Sequence, residues 1–457
     1  MLTLSFISLY TFKTFWRDVV VFSTVERLLL AKFTTDIQAN VASGKKRFIQ
    51  SLLFTLVQGL QPFLLTIIVA SITVPAEFSI YRYVLISLSV LVMFANPGFQ
   101  ITATRMFASY DVNASDQVAP LAFTWLLSLT FSAVTAVVIL VLPQTIFAVE
   151  GHVPVGTLAL LLSTVAAQAV PRGALIGKRR LDLVLIADVI GLITVILGTW
   201  FAARTYSYHG ALLALASSNI VVLIFLSTAL LRLETLKRMH INLKLANGKS
   251  HLKKIVVQTL PLGVSSLAYA IMLWMISGLL LEQYKDPLVF AVYSIGVQWF
   301  MLANILSKVL CPVLLPDASR EMSGGKLGAQ DKNHKRLLFA CVAVGLFVIC
   351  LALITSFAGP LLIGLYSDKY AGYENILTVF VLAALPMALL SVVGIQAVAV
   401  NAQRIWMMAA LVQLVVAVIV TWARIDLGAI AGALGLAIGA CAAMAIIVFH
   451  LKRKRLL

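Results

Sequence analysis

The sequence is poor in charge. Only 12% of its 457 residues are Asp, Glu, Lys or Arg, against about a quarter in soluble globular chains. Acids are the scarcer sign, with 18 Asp and Glu against 35 Lys and Arg. Cysteine is scarce as well. Cys311, Cys341, Cys350 and Cys441 sit in apolar runs with no C-x-x-C pair, which excludes a disulfide framework and a zinc site. The six histidines form no His-x-x-x-His pair, so neither a metal site nor a cofactor is expected. The N-terminus, MLTLSFISLYTFKTFWRDVV, is interrupted by Lys13 and Arg17, and no small-residue cleavage site follows, which excludes a clean signal peptide.

What the chain has instead is apolar length. Hydrophobic residues make up 61% and the mean hydropathy is +1.00. This excludes a cytosolic enzyme and a disordered chain, and it leaves a polytopic membrane protein. Apolar runs of spanning length read at 48–71, 81–104, 118–142, 154–171, 182–203, 211–231, 255–281, 288–312, 337–358, 375–400, 405–424 and 428–450. They are too long and continuous for barrel strands, so the expected fold is all-α with about twelve transmembrane helices.

The cations then orient the chain. With both termini cytoplasmic, only Arg82, Arg204, Lys285, Lys369 and Arg424 fall on the far side, and every other Lys and Arg falls inside. That asymmetry follows the positive-inside rule and supports an even number of spans. It also explains the basic residues without a nucleic-acid partner. The outer connections read as roughly four to twelve residues each, with no soluble domain on either face. The expected layout is a segment 1–45, a six-helix lobe 46–232, a basic linker 233–254, a second lobe 255–450 and a basic tail 451–457. Residues 1–45 read as an interfacial helix anchored by Trp16, as an overlong start, or as a thirteenth span that would bury Glu26 and Arg27.

The halves resemble each other. Phe78-x-x-Tyr81 matches Phe290-x-x-Tyr293 at an offset of 212, GKRRLDL from Gly177 matches NAQRIWM from Asn401, and GALLALA from Gly210 matches GALGLAI from Gly432. Six spans in each half bring both halves in from the same side. They are then parallel repeats about a pseudo-twofold axis along the membrane normal, a common plan of secondary transporters.

At this point the sequence resembles the polysaccharide-export and O-antigen (Wzx-type) flippases, in the superfamily that also holds multidrug and toxin extruders. The resemblance rests on PAEFSIYRYVLISLSVLVMFANPGFQITATRMFA (Pro75 to Ala108), the Gly177-Lys178-Arg179-Arg180 loop and the six-plus-six layout, over residues 45–450. It implies a bacterial inner-membrane protein that moves a polyprenyl-pyrophosphate-linked oligosaccharide to the outer leaflet by alternating access. It also implies membrane lipids, a polysaccharide polymerase and a chain-length regulator as partners. The long N-terminal segment and Asn401-Ala402-Gln403, where glycine is more typical, depart from the pattern.

Cargo with an anionic pyrophosphate and polar sugars needs a polar, cationic route, and by the resemblance the first, second, seventh and eighth spans line it. The first contributes Gln58, Gln61 and the kink candidate Pro62; the seventh contributes Pro261 as a second kink candidate. The second contributes Tyr81, Arg82 and Arg105, and the eighth Tyr293, Gln298, Asn304 and Lys308. Arg82 reads either as a phosphate contact, since guanidinium pairs with phosphate bidentately, or as an interfacial arginine snorkelling to headgroups. Arg105 and Lys308 read as cytoplasmic-mouth contacts or as ordinary positive-inside anchors. Asp188, the one carboxylate deep in a span, reads as a proton or sodium coupling site or as the partner of a nearby cation.

Other classes fit less well. A cationic-drug exporter of the same fold needs acids along its route, and the first and eighth spans have none. A major-facilitator transporter needs an Asp-Arg-x-Gly-Arg-like run where this chain has RMFASYDVNASDQ. A polymerase or glycosyltransferase needs a sizeable outer loop, and the longest one read here, Leu142–Val153, carries only Glu150 and His152. The chain is therefore expected not to be an enzyme.

Overall fold

The computed structural model describes residues 44–96, 98–100, 103–104, 107, 118–141, 155–178, 180–232, 248–310, 329–399 and 402–453. Most of segment 1–45, Arg105, Cys311, Asn401 and the Leu142–Val153 connection lie outside the described residues. Residues 44–50 open the first helix, and from Ser51 onward the chain forms one compact unit.

The described residues are predominantly helical and contain no strand. The helices are α1 (Gly44–Ile72), α2 (Pro75–Ala95), α3 (Val118–Val141), α4 (Val155–Gly177), α5 (Leu181–Arg232) and α6 (Gly248–Gln283). They continue with α7 (Pro287–Ala303), α8 (Ala329–Phe357), the short α9 (Gly359–Gly364), α10 (Asn375–Ala399), α11 (Gln403–Ala423) and α12 (Ala429–Arg453). Eleven of them are long and apolar enough to cross a bilayer. One, α5, would be about 78 Å long if straight, more than twice a hydrocarbon core. It bends sharply at Ser207, whose φ of 53° and ψ of −139° are non-helical, and so supplies two crossings. This is a multi-pass all-α membrane protein with large apolar side chains such as Phe339 and Phe357 turned outward, as a lipid solvent requires.

The repeat is visible in how the helices start. Pro75 and Pro287, separated by the same 212 residues as the Phe-x-x-Tyr pairs, both stand at the first positions of their helices. There the missing N–H costs nothing and φ is pre-set. Asp286 caps α7 by accepting from the Leu288 N–H at 2.9 Å. These prolines start α2 six residues before the apolar run suggested by sequence, which moves Arg82 from the mouth of the span to its second turn. α6 likewise begins at Gly248, inside the segment read as linker. Pro62 and Pro261 lie inside α1 and α6 as expected, and Pro171 and Pro386 lie inside α4 and α10.

Packing follows the same correspondence. α2 lies against α3, α4 and α5, and α7 lies against α8, α10 and α12. α2 also packs on α6 and α7, joining the half-chain that ends at Arg232 to the one that begins at Gly248. α11 and α12 approach closely because Gly435 and Gly439 carry no side chain. A Cβ at Gly435 would collide with Thr421 Oγ1 and stand 2.5 Å from the Ala417 carbonyl, and one at Gly439 would stand 2.8 Å from the Gln413 carbonyl. Gly435→Leu is therefore expected to destabilise the protein by about 1–3 kcal/mol. Gly278→Ala, where a Cβ would meet nothing within 4 Å, is expected to be neutral or slightly stabilising. Thermal unfolding of the purified variants in one detergent checks both.

One connection differs from expectation. Between α8 and α10 the chain runs from Ala358 to Glu374, longer than the short links expected on that face, and it is ordered by α9 and a 3-10 turn at Asp368–Tyr370. A tight turn closes it, with Gly372 at φ +91° and its N–H donating to Glu374 Oε1 at 2.8 Å. That bond holds the exposed Glu374 carboxyl below its usual range.

Candidate functional site

Two charged residues are buried among the described residues, Arg82 and Asp188, and the structure treats them differently. Asp188, 5% exposed, is neutralised. Its Oδ1 and Oδ2 accept from Arg172 Nη2 at 2.6 Å and Nη1 at 3.0 Å, a bidentate pair between α4 and α5. Gln58 of α1 adds a third bond, Nε2 to Oδ2 at 3.3 Å. Pro171, directly before Arg172, is the one proline inside α4.

Arg82 has no such partner. It lies about 10 Å along α2 from Pro75 and is 4% exposed, so it is no headgroup-seeking interfacial arginine. Among the described residues no carboxylate lies within salt-bridge distance of it. Its neighbours are neutral dipoles. Nη1 donates to Thr66 Oγ1 at 3.3 Å. With the Gln298 amide turned so that its oxygen faces the guanidinium, Oε1 accepts from Nη1 at 2.7 Å and from Nη2 as well. Tyr81, Tyr293 and Tyr366 are within electrostatic reach, and the buried Arg82 Nε and Tyr81 hydroxyl have no hydrogen-bond partner. An uncompensated guanidinium inside a membrane protein is costly, and such groups mark ion or substrate routes.

The local sequence explains this geometry. Thr66 donates its hydroxyl to the Pro62 carbonyl at 2.7 Å, four residues back across the proline in α1, which leaves its lone pairs for Arg82. Gln298 is carried by α7, the most deeply packed of the spanning helices. Next to it, Trp299 donates from Nε1 to Tyr366 Oη at 3.1 Å and stands edge-on to Phe63 at 5.3 Å. Burial pushes the Tyr366 phenol up, so it stays a neutral acceptor.

The residues singled out by sequence thus divide into groups. Tyr81, Arg82, Tyr293 and Gln298 gather in one place. Gln58 belongs instead to the Asp188–Arg172 cluster. Asn304 interrupts the eighth span, with Nδ2 donating to the Phe300 carbonyl at 2.7 Å and Oδ1 buried without a partner. Lys308 is exposed one turn further on, Gln61 is half-buried and Pro62 is exposed. Lys178, directly after α4, lies 5.2 Å over the Phe107 ring, and burial lowers its ammonium from the usual lysine value. Thr66, Tyr366 and Arg172 were not anticipated. A threonine four residues after a proline was the available signal for the first, while Tyr366 lies in a connection that reads as a plain loop.

Among the described residues, this multi-pass helical bundle holds one unneutralised arginine and one ion-paired aspartate in its interior. The chain belongs to the polysaccharide biosynthesis protein family, whose model matches residues 44–322. A search of curated proteins finds no match. Among solved structures, the inward-facing conformation of a multidrug resistance MATE family transporter of the MOP superfamily superposes with a TM-score of 0.68 at 15% identity, covering 90% of this chain and 98% of that one. The outward-facing conformation of a multidrug resistance MATE family transporter gives 0.65 at 15% identity, over 90% and 94%. A MATE structure in the straight conformation gives 0.64 at 15% identity, over the same shares. At these identities the likeness concerns the fold.

Proposed function

We propose that this protein is a flippase that carries a polyprenyl-pyrophosphate-linked oligosaccharide, such as an O-antigen or capsule repeat unit, from the cytoplasmic to the outer leaflet of the bacterial inner membrane. Arg82 carries the reading. A fixed positive charge with only neutral partners is half of a binding site whose other half is an anion, and bidentate donors suit the oxygens of a pyrophosphate. The polysaccharide family supports a lipid-linked saccharide as the source of that anion. The two half-chains serve as lobes that rock about the route between them. Lys308 and Arg105 draw the cargo in at the cytoplasmic mouth, and Gln61, Asn304, Tyr81 and Tyr293 supply polar contacts to the sugars. A polymerase and a chain-length regulator would take up the product. A cationic-drug exporter would need a free buried carboxylate, and the one described here is already paired with Arg172.

Reconstitution tests the reading. In liposomes holding a polyprenyl-pyrophosphate oligosaccharide in one leaflet, the protein is expected to expose the sugar to an impermeant lectin on the other side, and to move no lipophilic cation. In cells, a fluorescent fusion at Leu457 is expected to glow in the cytoplasm and a phosphatase fusion near Lys285 to be active outside. Drug-cation transport without sugar exposure would remove the flippase reading.

A further inference from the structure

We infer that the Arg82–Gln298 contact is the latch of an outer gate, and that an anion arriving at Arg82 releases it. The inference rests on the flippase reading above and names how that same site controls access.

The contact crosses the molecule, since Arg82 belongs to α2 of the first half-chain and Gln298 to α7 of the second. It sits within a layer of other cross-ties on the side of Pro75. Ser79 Oγ donates to the Pro287 carbonyl at 2.8 Å, and Lys369 Nζ donates to the Thr73 carbonyl at 3.2 Å. Phe78 meets Tyr370 edge-on at 6.3 Å, and Tyr83 meets Phe290 at the same distance. The Ala358–Glu374 connection is thus a strap that reaches from the second half-chain onto the lip of the first, and Tyr366 anchors it to Trp299 beside Gln298. Thr73, under the strap, is 2% exposed. The ties at the lip are neutral contacts or a single surface lysine bond, and each is individually weak.

The latch differs from them because it holds a charge. Gln298 offers the guanidinium one neutral oxygen, whereas a phosphate oxygen pair offers charge-assisted bonds roughly twice as strong. Arg82 Nε, buried and unpartnered, adds a donor that Gln298 does not use. An anion on the guanidinium therefore displaces Gln298, and the seal loses the tie at its centre when the cargo is loaded. A carboxylate at 298 would defeat the device by pairing with Arg82 permanently, and an apolar residue there would leave the gate unlatched.

The test uses the full chain with Cys311, Cys341, Cys350 and Cys441 replaced by Ser and Thr73→Cys as reporter. The protein is reconstituted in liposomes and labelled with an impermeant maleimide. Adding polyprenyl pyrophosphate is expected to raise labelling roughly tenfold, the scale of losing a hydrogen bond to a charged group. Gln298→Leu and the shorter Gln298→Asn are expected to raise labelling by a similar factor without the lipid and to respond little to it. Gln298→Glu is expected to stay unlabelled with or without it. Phosphatidylglycerol vesicles alone should leave the parent unlabelled, and opening by that lipid would overturn a cargo trigger. If polyprenyl pyrophosphate binds, by retention of the radiolabelled lipid, but labelling does not change, the latch is overturned and the flippase reading stands. If the lipid does not bind at all, both fall. Ala291→Cys, at a fully buried position near the start of α7, serves as a second reporter and guards against a local effect of the Thr73 substitution.

Discussion

Arg82→Ala is expected to cut sugar exposure in liposomes by roughly a hundredfold, the scale of removing one partner of a buried charge pair, while the protein still inserts and stays monodisperse. The two halves of this expectation come from the same observation. Among the described residues no carboxylate depends on Arg82, so its removal orphans no buried charge there. Thr66 keeps its bond to the Pro62 carbonyl, and Gln298 is left neutral. Truncation even removes the cost of holding an unneutralised cation in the membrane. The loss should therefore appear in transport and not in melting temperature. Arg82→Lys should fall between parent and alanine, because an ammonium keeps the charge but loses the planar fork. Full transport by Arg82→Ala would take this residue, and the reading built on it, off the site. A collapse of folding would instead make it a structural arginine.

Much of this was legible in the sequence. Spans in a bilayer must be continuous apolar runs, because no water is available to satisfy an exposed backbone, so composition alone locates them. The Phe-x-x-Tyr repeat marked the corresponding starts of α2 and α7. What hydropathy could not see was where helix geometry begins. Pro75 and Glu77 are not apolar enough to extend the run, yet they start the helix, and Arg82 moved from a membrane boundary into a buried turn. The site was half legible for a related reason. A buried cation is conspicuous in an apolar run, so Arg82 and Asp188 stand out, but their partners are set by tertiary contact. Arg172 looked like one more positive-inside residue, and nothing in its neighbourhood says that it turns toward Asp188, one span away. Tyr366 was hidden in a connection that composition reads as a loop. Gln58 and Gln298 look equivalent as polar residues in spans, and only the structure sends one to the aspartate and the other to the arginine.

Breaking the second buried cluster should have the opposite signature. Arg172→Ala is expected to destabilise the protein by about 3–5 kcal/mol, the usual consequence of stranding one member of a buried ion pair, with low yield and a depressed melting temperature. Asp188 would be left with Gln58 at 3.3 Å as its hydrogen-bond partner, too little for a carboxylate inside the bundle. Asp188→Asn should be milder, since an amide oxygen still accepts from Arg172, and it should lower transport without preventing insertion. The decisive variant is the double replacement Arg172→Met with Asp188→Leu. It removes both charges at near-constant volume, and such swaps of buried pairs are often neutral or stabilising. If the pair serves to fasten α4 to α5, with Gln58 adding α1, the double variant should recover melting temperature and most of the transport rate. If it recovers stability but remains inert, and the parent rate responds to an imposed proton gradient while the double variant does not, the carboxylate takes part in coupling. The bidentate geometry favours the first outcome. A carboxylate already held by two short guanidinium bonds gains little from a proton or a sodium ion, and must surrender Arg172 before it can accept either.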